Sequence, residues 1–272
     1  METPIVIDAC TLINLLRIDE DDNFLYKHLK SLNIHIAEIV YDEFTANLFK
    51  NALDDADKER LSAILSLPGF CRHKNEDIQN NIGKEWVEKI ISYVSYSKKL
   101  NGELLSSLLA LGLSREMDVK VFFYTDDYPA KDVFDDFFHI QQIGSIEDSV
   151  DLLLMLYWIE EEFSIQMLKR KLFDLRTEYN KATDNFIRKI KVIKHRYRPK
   201  QLIWKTLECI ENAYYNNKKE ELAEYLDEIR RTKDKEIKDC LSVIPNITKQ
   251  TKIGIKIDRV LKELNKIDIF KL

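Results

Sequence analysis

The chain has 272 residues, 45% of them hydrophobic, and a net charge of −5, as is usual for a globular protein of one large or two ordinary domains. No apolar run approaches the roughly 20 residues that cross a bilayer, and no secretory signal is visible, so we expect neither a membrane protein nor a secreted one. The four cysteines are scattered, without a C-x-x-C pair. This pattern argues against a zinc site or a disulfide framework and predicts a cytoplasmic location.

The charge is divided unevenly along the chain. Residues 1–162 hold 15 Lys and Arg against 31 Asp and Glu, a net −16, whereas residues 163–272 hold 27 against 16, a net +11. Such a division predicts that the second half meets something anionic, either a separate partner or the first half. We therefore expect two domains, 1–162 and 163–272.

Short apolar runs alternate with helical patterns in the first domain. The candidate strands are 4–8, 34–38, 70–73, 119–125 and 139–143, and the clearest helical patterns are 84–100, 103–113 and 147–162. Strands that alternate with helices predict an α/β domain with a mostly parallel sheet covered on both faces.

The second domain has a helical pattern only. Apolar residues recur at steps of three and four from Ser164 almost to Pro199, which predicts one long, coiled-coil-like arm or hairpin. Further helices are expected at 200–215 and 218–243, followed by a short fourth helix that ends near 264. The C-terminal half is therefore predicted to be all-α.

Acidic residues recur where predicted strands end or helices begin. Asp8 closes the first strand, Asp42 and Glu43 stand at a helix start after the second, Glu103 lies in a first helical turn, and Asp126 and Asp127 follow the fourth strand. Each can be explained as a helix cap or as a charge that complements the helix dipole. Several of them on adjacent strand ends, however, would meet at one edge of a parallel sheet.

Converging carboxylates repel one another and raise their own pKa values unless a cation neutralises them. An all-oxygen cluster without His or Cys suits Mg²⁺ or Mn²⁺ better than zinc. Such a site can activate water and stabilise displacement at phosphorus.

Four segments together resemble the motifs of the PIN-domain nucleases. "VIDACTLINLL" with Asp8 and Thr11 is similar to the first motif, "IVYDEF" with Glu43 to the second, "NGELLSSLLAL" with Glu103 to the third, and "FFYTDD" to the fourth. The resemblance covers only residues 1–160, roughly. It implies a three-layer αβα sandwich with a PIN-like, mostly parallel sheet, and metal-dependent cleavage of RNA.

The resemblance also suggests roles for individual residues. Asp8, Glu43, Glu103 and Asp127 would bind one or two Mg²⁺ or Mn²⁺ ions, and Asp126 would assist catalysis. Thr11 and Thr125 would orient ligands or water through hydrogen bonds. The third position is often Asp in the family, and the segment between Glu43 and Glu103 is longer than in compact members.

We therefore expect an endoribonuclease, in the role of a toxin or a defence effector. Two alternatives stay open: a nuclease that acts on DNA, and a catalytically inert PIN-like protein whose helical arm binds a protein partner or an inhibitor. The retention of a carboxylate at every motif position favours the enzyme. The sequence leaves a homo-oligomer open.

The stretch "IRKIKVIKHRYRPK" interleaves cations with apolar positions. The candidate nucleic-acid-binding residues of this stretch are Arg188, Lys189, Lys191, Lys194, Arg196 and Arg198. Such residues would contact phosphates rather than read a base sequence. The alternatives are that the stretch docks on the acidic domain or on a partner, or that it forms a solvated helix face.

Overall fold

A computed structural model of the chain describes residues 3–19, 24–29, 31–50, 59, 62, 66, 70–93, 101–216, 218–235, 237–238 and 247–269. The chain divides into two compact units, Met1–Phe163 and Ser164–Leu272. Within the described ranges, none of the helices is both long enough and apolar enough to span a bilayer.

The N-terminal unit alternates strands with helices. Its described elements are, in chain order, β1 (Pro4–Ile7), α1 (Ala9–Arg17), α2 (Phe24–Leu29), β2 (Asn33–Ala37), α3 (Glu38–Lys50), β3 (Phe70–His73), α4 (Asn75–Ile82), α5 (Lys84–Tyr93), α6 (Gly102–Met117), β4 (Val121–Tyr124), α7 (Tyr128–Ile140), β5 (Gly144–Glu147) and α8 (Ser149–Ile159).

The five strands form one all-parallel sheet, as the alternation of strands and helices predicts. The strand order is β3-β2-β1-β4-β5, so β1 is central. Its residues Ile5, Val6 and Ile7 are fully buried, which explains why β1 is a continuous apolar run rather than an alternating one. Because Ile7 pairs with Tyr124, β1 and β4 end side by side.

The prediction of a fifth strand at 139–143 is wrong. His139 and Ile140 complete the last turn of α7, and the strand begins only at Gly144. Gly144 has a φ of +157°, and a side chain there would collide with the carbonyl group of Val121. The close approach of β4 therefore requires glycine at the start of β5.

Several helix boundaries also differ from the prediction. The helix predicted at 84–100 corresponds to α5 over residues 84–93. Residues 94–100 lie outside the described part of the chain. The helix predicted at 103–113 is longer, as α6, and the one predicted at 147–162 is shorter, as α8. Because α3 already begins at Glu38, Glu43 lies in its second turn rather than at a helix start.

The C-terminal unit contains helices and no strand in its described part. These are α9 (Ile165–Ile193), a 3-10 turn (Lys194–Tyr197), α10 (Gln201–Tyr215), α11 (Lys219–Arg230) and α12 (Ile247–Ile269). The long α9 packs against α10 and α12. One apolar core joins buried side chains of α9, among them Ile187, Ile190 and Ile193, with those of α10 and α11.

Two predictions for this unit are wrong. A single helix at 218–243 is not formed, because α11 ends at Arg230 and residues 232–234 are not helical; residues 239–246 lie outside the described part. The last helix is not short, since α12 has 23 residues.

Candidate metal centre

The carboxyl ends of β1 and β4 place two predicted site residues next to each other. Asp8 follows β1 directly, and its backbone N–H donates to the Tyr124 carbonyl oxygen at 3.0 Å. Thr125 follows β4, and its hydroxyl donates to Asp8 Oδ2 at 3.0 Å. Both residues are buried. The parallel pairing of the two strands thus creates a polar contact between residues 117 positions apart.

Asp8 caps α1 and still faces the sheet edge. Its Oδ1 accepts from the Ala9 N–H at 2.8 Å, and its Oδ2 accepts from Cys10 Sγ at 2.9 Å and from Thr125. An ionised carboxylate has about four acceptor sites. Three contacts leave room for one more partner, so capping and ligand binding do not exclude each other.

Thr125 connects Asp8 to the chain at Asp127. The Thr125 hydroxyl oxygen accepts from the Asp127 N–H at 3.0 Å while its own proton goes to Asp8. Thr11, the other predicted orienting threonine, is also buried, but its hydroxyl has no hydrogen-bond partner among the described residues. The structure therefore gives a bridging position to Thr125 and none to Thr11.

Asp126 and Asp127 have different surroundings. Asp126 is fully buried: Oδ1 accepts from the Ser149 N–H at 2.8 Å, and Oδ2 accepts from the Ser149 hydroxyl at 2.5 Å and from the Asn14 amide. Asp126 thereby joins the end of β4 to α1 and α8. Asp127 begins α7 without a side-chain capping bond, and its Oδ1 is buried with no hydrogen-bond partner among the described residues.

Glu43 and Glu103 come from α3 and α6. The pKa of the Glu43 carboxyl is raised to about 7, first by burial and then by the negative charges of Asp8 and Glu103. Although Glu43 as a residue is exposed, its carboxylate is shielded by Gly102, since Oε2 would lie 3.0 Å from a Cβ at that position. The Asn101 amide donates to Glu103 Oε2, and Asn101 Oδ1 caps α6.

The ligand set predicted for this edge, Asp8, Glu43, Glu103 and Asp127, consists of carboxylates, although Asp8 itself also contacts the Cys10 thiol and the Thr125 hydroxyl. Among the residues with described side chains, no three His, Cys, Asp or Glu side chains form a group that holds a metal ion in this conformation. The set matches the preference of Mg²⁺ and Mn²⁺ for oxygen ligands. Asp127 Oδ1 has no hydrogen-bond partner among the described residues, and the negative charges of Asp8 and Glu103 add to the effect of burial in raising the pKa of Glu43.

Sequence reasoning missed three residues that organise this edge. Asn14 and Ser149 bind Asp126, and Gly102 provides the space for the Glu43 carboxylate. Two signals were available: Asn14 is a polar residue within an apolar helix, and Ser149 lies in the capping sequence "EDSVD". Nothing in the sequence distinguishes Gly102 from an ordinary helix-start glycine.

A pair of histidines lies away from this edge, on β2 and β3. His35 Nδ1 and His73 Nε2 are 2.8 Å apart and their rings are stacked. Burial, and next the proximity of His73, lowers the pKa of His35 to about 4. Both rings are therefore neutral near pH 7 and serve the packing of the sheet.

The predicted cationic residues of the C-terminal unit do not share one environment. Lys194 is half-buried and forms an ion pair with Glu211 at 2.5 Å, so it belongs to the interior of the unit. The other residues predicted to bind nucleic acid are all exposed: Arg188, Lys189, Lys191, Arg196 and Arg198.

Comparisons of the chain with family models, with curated proteins and with solved structures gave no match. The resemblance to the PIN-domain nucleases therefore rests on the four sequence motifs alone.

Proposed function

We propose that the N-terminal unit hydrolyses phosphodiester bonds with the help of Mg²⁺ or Mn²⁺, and that its substrate is RNA. The proposed ligands are Asp8, Glu43, Glu103 and Asp127. The parallel sheet with its central β1 supports the further proposal that this unit is a PIN-like, three-layer αβα sandwich.

One observation supports the proposal most strongly. Asp127 Oδ1 is buried without a hydrogen-bond partner among the described residues, and its backbone N–H shares the Thr125 hydroxyl with Asp8. An unsatisfied buried polar atom costs about 1–3 kcal/mol, and more when the group is charged. A cation bound beside Asp8 and Asp127 would remove that cost.

A bound divalent cation would neutralise the carboxylates, activate a water molecule and stabilise the charge that develops at phosphorus. The chain's own residues prepare the site. Thr125 fixes Asp8 Oδ2, and Asn101 holds the Glu103 carboxylate. Because no three described acidic side chains converge as they stand, ion binding requires the long Glu43 and Glu103 side chains to turn toward Asp8.

The proposed role of Asp126 is to position other residues. Both of its oxygens already accept hydrogen bonds from Ser149 and Asn14, which leaves it less able to bind an ion than Asp127. Asp126 links the end of β4 to α1 and α8 and thereby positions Asp127 at the edge of the sheet.

A cleavage assay tests the proposed function. Fluorescently labelled single-stranded RNA is incubated with the full chain in Mg²⁺, in Mn²⁺ and in EDTA, with labelled DNA of the same sequence beside it. We expect divalent-ion-dependent RNA cleavage, and a loss of about 100-fold or more in Asp127→Asn, since its charge is needed at the ion.

The matched control is Asp135→Asn, which removes the same charge from an exposed position of the same helix, α7. It should cleave at the parent rate. If the parent cleaves neither nucleic acid, the enzyme proposal is wrong and the inert interaction protein takes its place. If only DNA is cleaved, the substrate assignment is wrong.

The cytoplasm remains the proposed location. The described cysteines Cys10, Cys71 and Cys209 form no disulfide bond, which is usual for proteins kept in a reducing compartment.

A further inference from the structure

The C-terminal unit has a cluster of exposed cations at the junction of α9 and the 3-10 turn. We define the basic surface as Arg188, Lys189, Lys191, Arg196 and Arg198, all of which are exposed. No Asp or Glu occurs anywhere from residue 185 to residue 207. The local charge is therefore uniformly positive.

This surface is carried by a rigid support. Ile187, Ile190 and Ile193 are buried in the apolar core of the unit, and so is Tyr197 of the 3-10 turn. With 3.6 residues per helical turn, Arg188 projects from the side of α9 opposite these isoleucines, and Lys189 and Lys191 flank the buried stripe on either side. The three cations are thus spread over the exposed part of the α9 surface.

Neighbouring carboxylates are already used by other cations. Glu211 pairs with Lys194, and Asp234 accepts from Lys200 Nζ and from the Tyr197 hydroxyl, each at 2.6 Å. The Lys200 ammonium group, followed by the Tyr197 hydroxyl, lowers the pKa of Asp234 to about 2. These pairs hold the 3-10 turn against the rest of the unit, and they occupy Glu211 and Asp234 with cations other than Arg188, Lys189, Lys191 and Arg198.

Four cations of the basic surface have no ion-pair partner among the described residues. Within the described residues, Arg188, Lys189, Lys191 and Arg198 form no ion pair. Lysine is depleted at protein–protein interfaces, and exposed ion pairs contribute little to affinity. Phosphate contacts, in contrast, gain free energy because condensed counterions are released from the nucleic acid.

We infer that the basic surface binds the phosphate backbone of RNA without reading its sequence. The inference rests on the proposed function, which requires a polyanionic substrate to reach a unit whose residues 1–162 carry a net charge of −16. The exposed apolar neighbours Val192 and Leu202 are aliphatic, and the exposed His195 ring gives a stacking surface for at most one base. Binding should consequently be electrostatic and independent of base sequence.

The test measures binding in EDTA, where metal-dependent cleavage cannot occur. Fluorescence anisotropy follows a labelled, mixed-sequence single-stranded RNA with the full chain over a series of salt concentrations. The variant Arg188→Gln/Lys189→Gln/Lys191→Gln should bind at least about tenfold more weakly at low salt. Its slope of log K against log salt should be flatter by about two units, because each lost phosphate contact removes about 0.7.

The matched control removes one Arg and two Lys from α12 as Arg259→Gln/Lys262→Gln/Lys266→Gln, all at exposed positions. Circular dichroism should show that both triple variants are folded. Parent-like binding by the α9 variant, or an equal loss in the α12 variant, would overturn the assignment of the surface.

A competition experiment distinguishes the kind of polyanion. Unlabelled RNA should displace the probe far more effectively than polyglutamate at equal charge concentration. Equal displacement by polyglutamate would mean that the surface fits an acidic polypeptide, and the inference would be wrong. RNA binding in EDTA by a parent that does not cleave in Mg²⁺ or Mn²⁺ would instead contradict only the proposed catalysis.

Discussion

The acidic edge of the N-terminal unit and the basic surface of the C-terminal unit are built in opposite ways. The acidic edge gathers Asp8, Glu43, Glu103 and Asp127 from four distant parts of the chain, and its Asp8–Thr125 contact is buried. The basic surface comes from 11 consecutive positions, 188–198, and is open to solvent. A site that must hold charge at a defined point needs long-range pairing, whereas a surface that attracts a polyanion needs only local composition.

This difference determines how each region should respond to substitution. At the acidic edge each proposed ligand comes from its own part of the fold, so a single change should remove function or stability abruptly. On the basic surface the cations act through a shared potential, so losses should be graded and roughly additive.

The largest expected effect is that of Asp8→Asn. Asn keeps an oxygen for the Ala9 N–H but removes one negative charge, so Mn²⁺-dependent cleavage should fall about 100-fold or more. The melting temperature without metal should stay or rise, because repulsion with Glu43 is relieved. A lower melting temperature with unchanged cleavage would show that Asp8 is only a helix cap.

Asp126 and Asp127 sharpen the comparison within one pair of neighbours. Asp126→Asn disturbs the bonds to Ser149 and Asn14, and chemical denaturation should show a loss of about 1–3 kcal/mol of unfolding free energy. Asp127→Asn should leave stability unchanged or higher while cleavage collapses. A stability loss in Asp127→Asn that matches the loss in Asp126→Asn would contradict the separation of their roles.

Two glycines of α6 test the geometry around Glu43. A Cβ at Gly102 would lie 3.0 Å from Glu43 Oε2 and 3.2 Å from Val40 Cγ2, whereas a Cβ at Gly112 would meet only Ile82 Cδ1, at 3.4 Å. Gly102→Ala should therefore lower cleavage about tenfold through displacement of the carboxylate. Gly112→Ala should leave activity unchanged and stabilise α6 by up to about 1 kcal/mol through helix propensity. Equal activity in both variants would contradict the placement of Glu43.

The smallest expected effect concerns the histidines and pH. The folded-state pKa of His35 is about 4, below the ordinary value of 6.5. Between these two pH values the His35 side chain therefore binds more protons in the unfolded chain than in the folded one. His35 should therefore make stability fall as the pH drops from about 6.5 toward about 4. Urea denaturation across this range should show a smaller decrease for His35→Phe. The exposed His139→Gln should follow the parent, and a His35→Phe curve parallel to the parent would contradict the prediction.

The sequence predicted the parallel sheet and the acidic strand ends because both follow from local patterns. The apolar run before Asp8 and the β-patterned run before Thr125 are visible in "PIVIDA" and "VFFYTDD". The fifth strand was misplaced because the apolar ending of α7 resembles a strand, and only the approach of Val121 to Gly144 explains the true start.

The separate environments of Asp126 and Asp127 depend on long-range contacts that no local pattern shows. Neighbouring aspartates are equivalent in sequence, and their difference arises from Ser149 and Asn14, which belong to other elements. Likewise, Lys194 was predicted to bind nucleic acid because it lies in a basic stretch of the sequence. Its ion pair with Glu211 depends on how α10 packs, which the stretch itself does not show.

Direct measurement of Mn²⁺ binding tests the central claim, that the carboxylates at the sheet edge hold a divalent ion. Electron paramagnetic resonance quantifies free hydrated Mn²⁺ during titration of the full chain without nucleic acid. We expect saturable binding at one or two sites in the parent and in Asp135→Asn, and a loss of affinity of about tenfold or more in Asp127→Asn. A parent that binds no Mn²⁺, or an Asp127→Asn variant that binds as tightly as the parent, would contradict the claim.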